Sequence, residues 1–454
     1  MASELVKAVR KRANLRRAWA VIHNNGRFSQ SEYIKMEIEQ FAEKAPTNLR
    51  SLQTKLSRKT FRFPPSKGVP IPKIDGHGKK SGKFRPIVIS PVESRVVQRA
   101  ILNVLTDIPA LENYRKTPYS FGGIQRSPNV TGEYEEVLSA VPAAIKAVLI
   151  EIGNGAKFYA SADIKSFFTR ISKDDVTRII ADVIKDDEFV SLFRGAIKVE
   201  LSNLAQLREK ASEFPIEDLG VAQGNCLSPL LGNIILANFD RVMNEGDCKC
   251  IRYIDDFIIL APTKKAASAR LKKAKAILAT LLMELSPEKS SKGGVTVENG
   301  MDFLGINICR GAIRPSSRAR SKILTSIESQ FDESLQAMQS VKHGDKLDKK
   351  YSLVNTLKRV DGMIDGWGKH YRFCNDEQFF ESMDKALDEL VRQYLGRYAR
   401  IREEMKVKFS RKMLGITELA EIPREPFAYP KTGKKRLSNA KTSITDSLKS
   451  SVTA

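Results

Sequence analysis

Two adjacent aspartates, Asp255 and Asp256, stand between short apolar runs in the segment CIRYIDDFIILA, residues 250–261. The β-branched and aromatic residues on both sides indicate strands, so the pair is predicted to occupy the turn of a hairpin that is buried on at least one face. Two carboxylates held a few ångströms apart in a partly desolvated place repel, and one takes up a proton unless a cation neutralises them. The segment therefore predicts a site for a divalent metal ion.

Two other Asp-Asp pairs in the chain, Asp174 with Asp175 and Asp186 with Asp187, provide a comparison. Both stand among lysines near predicted helix ends, where aspartates cap backbone N–H groups or favour the positive end of the helix dipole. They need no metal ion. A plain Asp-rich turn is the alternative interpretation of Asp255 and Asp256 when their segment is considered alone.

A third carboxylate, Asp163, ends the predicted strand AKFYASAD, residues 156–163. A strand beside a hairpin turn can bring Asp163 next to Asp255. Oxygen ligands without histidine or thiolate select Mg²⁺, with Mn²⁺ as the alternative. Three aspartates with two metal ions suit in-line phosphoryl or nucleotidyl transfer, because one ion activates the attacking hydroxyl and the other stabilises the leaving oxygen. The carboxylates alone do not separate a polymerase from a nuclease.

The composition indicates a folded protein with a polyanionic partner. The 454 residues are 42% hydrophobic, and 76 Lys and Arg against 53 Asp and Glu give a net charge of +23, which favours nucleic acid over an acidic membrane face. The four histidines lie far apart and the five cysteines show no paired zinc spacing, so zinc chemistry is not expected. Since no apolar run reaches the length of a membrane span or signal peptide, we expect a cytoplasmic protein with no membrane partner.

The rest of the chain supplies the elements that must position the carboxylates. Residues 69–90 and 297–309 predict hairpins, the first with a basic, glycine-rich tip, and a Gly-rich turn at 220–227 leads into a strongly apolar helix. The predicted organisation is a basic helical extension at 1–60, a central region at 61–315, a helical region at 316–402 and a basic tail at 403–454. One helix of the extension, either solvated or phosphate-binding, carries Lys7, Arg10, Lys11, Arg12, Arg16 and Arg17.

Five segments in order carry a resemblance to a known family: SADIKSFF, GVAQGNCLSPLLGNI, RYIDDFIIL, LSPEKS and MDFLGINI. They resemble the successive palm motifs of the reverse transcriptases, and more narrowly the bacterial branch with group II intron proteins, retrons and defence-associated enzymes. The resemblance spans about Val69 to Arg372, and MIDGWGKHYRF around Trp367 adds a match to the thumb helix of intron-type enzymes. It implies an α+β right-hand polymerase fold, with fingers and palm at 61–315 and the thumb at 316–402.

The resemblance also implies roles for individual residues. Asp163, Asp255 and Asp256 would be the catalytic triad that holds two Mg²⁺ ions, and the ring of Phe168 would close off the sugar 2′ side, which argues for a DNA product. Lys83 and Arg85 would bind the triphosphate, Gln223 and Gly224 would lie under the incoming base, the Ile164 carbonyl would be a further metal ligand, and Lys289 would assist the leaving pyrophosphate. Tyr253 completes the nucleotide-binding set, and the implied primer grip is Phe303, Leu304, Gly305 and Ile306.

The resemblance leads to three functional hypotheses. The first is a stand-alone RNA-directed DNA polymerase that uses dNTPs to copy an RNA template, a structured non-coding RNA, in bacterial antiviral defence; its oligomeric state is left open. The second is an RNA-binding scaffold or maturase-like cofactor that does not use its palm, and the third is a carboxylate-metal nuclease. The sequence departs from the family pattern at Ala222, where proline is usual, and at Ile254, which is larger and β-branched. Neither departure touches the carboxylates.

Overall fold

The computed structural model describes residues 3–29, 31–74, 80–115, 117–123, 139–341, 347–404 and 407–428. These residues form two compact units. The first contains the described residues up to Ser321 together with Tyr371–Phe380, and the second contains Lys322–His370 and the described residues from Glu381 onwards. The basic hairpin tip at 75–79 and the part of the predicted basic tail from residue 429 onwards lie outside the described residues.

The first unit contains both helices and strands, and it begins with four consecutive helices. Its helices are α1 (Glu4–Arg10), α2 (Arg12–Gly26), α3 (Glu32–Glu43), α4 (Ala45–Ser57), α5 (Val92–Thr106), α6 (Glu112–Arg115), α7 (Ala140–Gly153), α8 (Lys173–Ile184), α9 (Asp187–Ile197), α10 (Leu204–Leu207), α11 (Ser228–Met243) and α12 (Lys264–Thr280). Its strands are β1 (Lys67–Ile74), β2 (Lys80–Ile89), β3 (Ser120–Phe121), β4 (Phe158–Asp163), β5 (Lys249–Tyr253), β6 (Asp256–Ala261), β7 (Val295–Thr296), β8 (Met301–Phe303), β9 (Ile306–Cys309) and β10 (Ala312–Pro315).

The strands form three sheets. The central one has the order β3-β5-β6-β4-β7, with only β3 and β5 parallel; β10-β9-β8 form an antiparallel sheet, and β1-β2 form an antiparallel pair. The hairpins predicted at 69–90, 250–261 and 297–309 are therefore confirmed, and so is the α+β class. Every residue of β6 after Asp256 is buried, since α7, α11 and α12 pack on the sheet. That burial explains the continuous apolar run FIILA.

The basic N-terminal region folds into the first unit. A single helix was predicted for its first residues, and this was wrong: the chain breaks at Lys11, whose extended ψ of 128° separates α1 from α2. The amide of buried Asn14 donates to the carbonyl of Ala100 in α5 at 3.0 Å and accepts a hydrogen bond from Asn103 at 2.8 Å. These bonds fix α2 on α5, since buried amides without partners are costly.

The second unit is helical. It contains most of α13 (Ser317–Ser340), α14 (Leu353–His370), most of α15 (Glu377–Glu404) and α16 (Val407–Leu414). In its core the rings of Phe331 and Tyr394 stack at 4.3 Å, and the hydroxyl groups of Ser334 and Tyr394 share a hydrogen bond. No helix among the described residues is long and apolar enough to cross a membrane.

Candidate active site

Strand register brings two of the predicted carboxylates face to face. In the antiparallel pair β4-β6, Asp163 is the direct partner of Asp256, so both side chains project from the same face of the sheet. Asp163 is 6% exposed, and Asp256 is half-buried. Asp255 precedes Asp256 in the hairpin turn, and its carbonyl accepts a hydrogen bond from the N–H of Ile164 at 3.0 Å. The turn is thereby tied to the residue that follows Asp163.

The three carboxyl groups act on one another electrostatically. Burial, followed by repulsion from Asp255 and Asp163, raises the pKa of Asp256 to about 7. Burial and the charge of Asp163 also raise the pKa of Asp255. Asp256 lies within hydrogen-bonding reach of Asp163, so the two groups can share a proton when no cation is present. The site favours the uptake of positive charge.

Lys289 supplies a positive charge from the protein itself. Its ammonium group lies 2.7 Å from a carboxylate oxygen of Asp163, while its side chain remains 60% exposed. Burial by itself would lower the pKa of Lys289, but the hydrogen bond to Asp163 and the three aspartate charges raise it. The segment that carries this lysine runs along β4, where the N–H of Ser286 donates to the carbonyl of Asp163 at 2.8 Å.

The donor set of this site fits a divalent cation. Across the described ranges, no three His, Cys, Asp or Glu side chains already converge as metal ligands. However, Mg²⁺ commonly binds through one or two carboxylates, with water and substrate phosphates completing its coordination. Asp163 and Asp256 offer two such carboxylates, and both are hard oxygen donors that repel each other when ionised. The roles of Asp163, Asp255 and Asp256 as metal ligands stay predictions.

Without metal, replacing Asp256 by Asn is expected to stabilise the protein. The raised pKa means that the folded state binds a proton more tightly than the unfolded state, so wild-type stability falls as the pH rises from about 4 to 7. At about pH 8 in EDTA, we expect Asp256→Asn to unfold about 3 °C higher than wild type, and at pH 5 the difference should largely vanish. Thermal denaturation followed by fluorescence measures the difference in unfolding temperature at each pH.

Exposed Asp175 provides the control for this comparison, since Asp175→Asn should not change the unfolding temperature by more than about 1 °C. Added Mg²⁺ should then stabilise wild type and not Asp256→Asn. A variant that is less stable than wild type at pH 8 in EDTA would contradict the repulsion described above.

The hairpin β1-β2 is docked beside the turn that contains Gln223 and Gly224. The N–H of Val88 donates to the carbonyl of Gln223 at 2.9 Å. Gly224 has a φ of +114°, and a Cβ there would lie 2.8 Å from the Val88 carbonyl oxygen, so only glycine fits. The structure thus gives Gly224 a packing reason, whereas its predicted closeness to a nucleotide stays a prediction.

The strand β2 carries the two cations predicted to bind triphosphate. Arg85 is exposed and, within the described part of the chain, its side chain makes no hydrogen bond or ion pair. The ammonium of Lys83 lies 4.0 Å from Glu288, the neighbour of Lys289. Docking on Gln223 therefore holds this strand on the side of the site where Lys289 lies, and leaves the Arg85 guanidinium available to an anion.

Comparisons with known proteins decide the family. The sequence model of the family described as "Reverse transcriptase (RNA-dependent DNA polymerase)" matches residues 71–308, more than half of the chain. The chain is a member of the reverse transcriptase family. The predicted right-hand polymerase class of fold is confirmed at this level. The matched range contains every residue of the predicted catalytic, nucleotide-binding and primer-grip sets.

The curated relatives of this chain are distant. The chain is 27% identical to Protein YkfC of Escherichia coli over 43% of this chain and 45% of that protein. It is 26% identical to an uncharacterized 91 kDa protein in the cob intron of Schizosaccharomyces pombe, over 42% of this chain and 20% of that protein. The matches thus span less than half the length of these relatives.

Solved structures show more distant similarity. Telomerase from Candida tropicalis, in complex with a fragment of telomeric RNA, matches with a TM-score of 0.39 at 15% identity, covering 78% of this chain and 59% of that one. A partial Cas6-RT-Cas1–Cas2 complex matches with a TM-score of 0.33 at 18% identity, covering 62% of this chain and 43% of that one.

Phe168 follows β4 of this reverse transcriptase family member in a short 3-10 turn, Phe167–Arg170. Its ring is partly buried, and its carbonyl accepts a hydrogen bond from Val221 at 2.7 Å. If the ring excludes the 2′-hydroxyl, Phe168→Ala should raise the use of ribonucleotides relative to deoxyribonucleotides about 10- to 100-fold. Competitive primer extension measures this ratio, which does not depend on the fraction of enzyme molecules that are active. Phe168→Tyr should retain the selectivity; equal ratios for Phe168→Ala and wild type would contradict the assignment.

The predicted primer grip forms the turn of the β8-β9 hairpin. Leu304 and Gly305 both have positive φ, 52° and 79°, as a tight two-residue turn requires, and Phe303 and Ile306 pair across it. The Gly305 carbonyl accepts a hydrogen bond from Ser316 at 2.8 Å, which ties the turn to the start of α13. The turn belongs to the three-stranded sheet, separate from the sheet of the aspartates. Its contact with a primer stays a prediction.

Sequence reasoning missed Arg252, which lies directly behind the aspartate turn. Its side chain is fully buried, and its guanidinium binds Asp240 through two hydrogen bonds of 2.7 and 2.5 Å. It also donates to the carbonyl of Ile254 at 2.9 Å and to Ser120 and Asn233. Ile254 has a φ of +59°, costly for a β-branched residue, so this bond helps to hold the turn. A lone cation inside the apolar run CIRY was the available signal.

Proposed function

We propose that this protein is an RNA-directed DNA polymerase that makes complementary DNA from an RNA template and dNTPs. The observation that carries the proposal is the register pairing of Asp163 with Asp256, next to Asp255, on a palm sheet of the reverse transcriptase family. When bound, two divalent ions would activate the primer 3′-hydroxyl and stabilise the leaving oxygen. Asp163, Asp255 and Asp256 would hold those ions.

Other side chains of the site serve the triphosphate. Arg85 is an exposed guanidinium that suits bidentate binding of phosphate oxygens. Lys289 neutralises Asp163 in the free enzyme, and its exposed ammonium can donate a proton to the leaving pyrophosphate once cations compensate the carboxylates. Phe168 restricts the incoming nucleotide to a sugar without a 2′-hydroxyl. These roles support a polymerase over a nuclease, which needs neither a sugar filter nor a triphosphate clamp.

We further propose that the template is a structured non-coding RNA and that DNA synthesis serves antiviral defence in the bacterial cytoplasm. The net charge of +23 supports an RNA partner, because cationic side chains gain affinity by releasing counterions from phosphates. The scaffold hypothesis is less well supported, because the protein retains mutually repelling carboxylates that a scaffold would not need.

The deciding experiment is sequencing of the RNA and DNA that co-purify with wild type and with Asp255→Asn from the same cells. The polymerase predicts that both proteins carry the same RNA and that complementary DNA appears only with wild type. Primer extension on that RNA with dNTPs then tests the activity directly. Extension of the RNA by neither protein, with matching DNA in neither sample, would favour the scaffold.

A further inference from the structure

A cavity lies in the first unit, outside the set of residues assigned to the active site. It has a volume of about 800 Å³, within the range of small-molecule sites. The segment Lys59–Ser66, the start of α5 and one face of α9 enclose it. None of the predicted catalytic, nucleotide-binding or primer-grip residues lines it.

The floor of the cavity is polar and incompletely satisfied. Ser94 of α5 is 2% exposed, and its hydroxyl has no hydrogen-bond partner within the described residues. Gln98, one helical turn further along, is 5% exposed and donates its amide N–H to the carbonyl of Ala196 at 3.0 Å, which leaves its own carbonyl oxygen to accept. Ser66 and Ser90 bond to each other at 3.1 Å. A buried hydroxyl without a partner calls for a ligand or water.

The walls of the cavity are aromatic and apolar. Phe61 and Phe63 meet edge to face, with ring centroids 5.0 Å apart. Gly195 of α9 lets the Phe63 ring approach, since a Cβ there would lie 3.2 Å from the ring. Leu56 and Leu192 complete these walls. Aromatic walls beside a floor of hydrogen-bond donors and acceptors suit a planar heterocycle, because its faces can stack on the rings while its polar edge forms hydrogen bonds with the floor.

Most charges at the rim are already paired. Lys59 binds Glu188 at 3.0 Å, and Lys198 binds Glu200 at 2.8 Å. Arg62 donates only to the backbone carbonyls of Lys59 and Phe61, so it is the rim cation with no carboxylate partner in the described ranges. Asp187 is the rim carboxylate with no ion-pair partner in those ranges, so the three cations and three carboxylates of the lining sum to zero. Arg62 is therefore the guanidinium at the rim that remains able to bind one phosphate group.

We propose that this cavity binds one unstacked base of an RNA strand, with the edge of the base at Ser94 and Gln98 and its phosphate at Arg62. The inference rests on the proposed binding of RNA. A nucleotide within a strand brings one phosphodiester charge, which Arg62 can match, whereas a free nucleoside triphosphate brings about four. The cavity thus anchors the RNA away from the catalytic carboxylates and adds base stacking to the phosphate contacts.

Filling the cavity from its rim tests the proposal. Ser191 is an exposed residue of α9 that lines the cavity, so Ser191→Phe places a ring in the cavity mouth without disturbing the core. Ser51→Phe makes the same change on an exposed face of α4 away from the cavity. The full-length proteins would be compared for binding of fluorescent single-stranded RNA, and photocrosslinks from RNA with 4-thiouridine would be mapped by mass spectrometry.

The proposal predicts that Ser191→Phe weakens RNA binding about tenfold, that Ser51→Phe matches wild type, and that crosslinks map to Phe61–Ser66 or α9. Equal binding by the two variants, with wild type still binding RNA, would overturn the cavity assignment and leave the proposed polymerase intact. Displacement of the crosslink by AMP, GMP, CMP or UMP in modest excess would overturn the strand assignment in favour of a free nucleotide. If wild type binds no RNA and extends no primer, the proposed function fails and the inference fails with it.

Discussion

Replacing Asp255 and Asp256 together by Asn is expected to lower primer-extension activity at least about 1,000-fold, while folding and RNA binding persist. The change keeps the shape of the two side chains and removes the charges that hold divalent ions. Fold retention is expected because the carboxyl groups repel each other: the pKa values of both are raised, so their charges do not stabilise the metal-free protein. Single-nucleotide incorporation on an RNA template, with RNA binding measured in parallel, checks both parts.

The matched control is the double change Asp174→Asn and Asp175→Asn. These aspartates are also adjacent, but they lie in the first turn of α8, are exposed, and pair with Arg194 and Arg178. Such surface pairs contribute about 0–1 kcal/mol each, so activity should remain within about twofold of wild type. If the change at Asp255 and Asp256 left synthesis intact, the active site would have to be placed elsewhere.

Replacing Arg252 by Met is expected to destabilise the first unit by about 3–5 kcal/mol, because Asp240 would be left charged and buried without a partner. Asp240 is 4% exposed, and Arg252 is its ion-pair partner. For a unit of this size, the unfolding temperature should fall by about 10 °C. Thermal denaturation measures the change. The physical reason is that the Coulomb attraction offsets desolvation only while both charges are present.

Arg241→Met is the control for this loss. Arg241 lies in the same helix α11 and binds Glu245 at a comparable 2.8 Å, but the pair is 68% and 52% exposed. Its removal should cost about 0.5 kcal/mol or less. Equal destabilisation by Arg252→Met and Arg241→Met would contradict the argument that burial decides the value of the pair.

Arg252→Lys separates positioning from stability. Lysine keeps the charge opposite Asp240, but it cannot also reproduce the guanidinium bond to the Ile254 carbonyl. We expect kcat to fall about tenfold, with RNA affinity and the KM for dNTP close to wild type, because the turn that carries Asp255 loses its support. A purely structural role for Arg252 would change the unfolding temperature and leave kcat per folded molecule unchanged.

Elements with a local cause could be predicted from the sequence. The β5-β6 hairpin follows from two β-forming runs on either side of a polar pair. The β8-β9 hairpin follows from two β-forming runs on either side of the turn at Leu304 and Gly305. The other aspartate pairs lie at helix starts as predicted: the Asp186 side chain caps α9 by accepting from the N–H of Phe189 at 3.0 Å, and Asp174 and Asp175 lie in the first turn of α8, at the positive end of its dipole. Each of these features depends on a few neighbouring residues.

The break between α1 and α2 in the N-terminal region is a feature that neighbouring residues do not specify. Its basic residues and helical spacing predicted one helix, and nothing near Lys11 signalled a break, since lysine is a good helix former. The break lets α1 and α2 both pack on α4 and α5, with α1 contacting α9 as well, and the contacts with α5 and α9 involve residues far away in the sequence. Packing of buried faces overrode propensity there.

The sequence by itself determined which residue types stand in the site, their order along the chain, the two hairpin turns and the reverse transcriptase motifs. Only the tertiary structure decided that Asp163 is the register partner of Asp256, that Lys289 neutralises it, and that Arg252 is buried on Asp240. The reason is physical: a hairpin turn is specified by adjacent residues, whereas strand register across distant segments and the value of an ion pair depend on what surrounds them after folding.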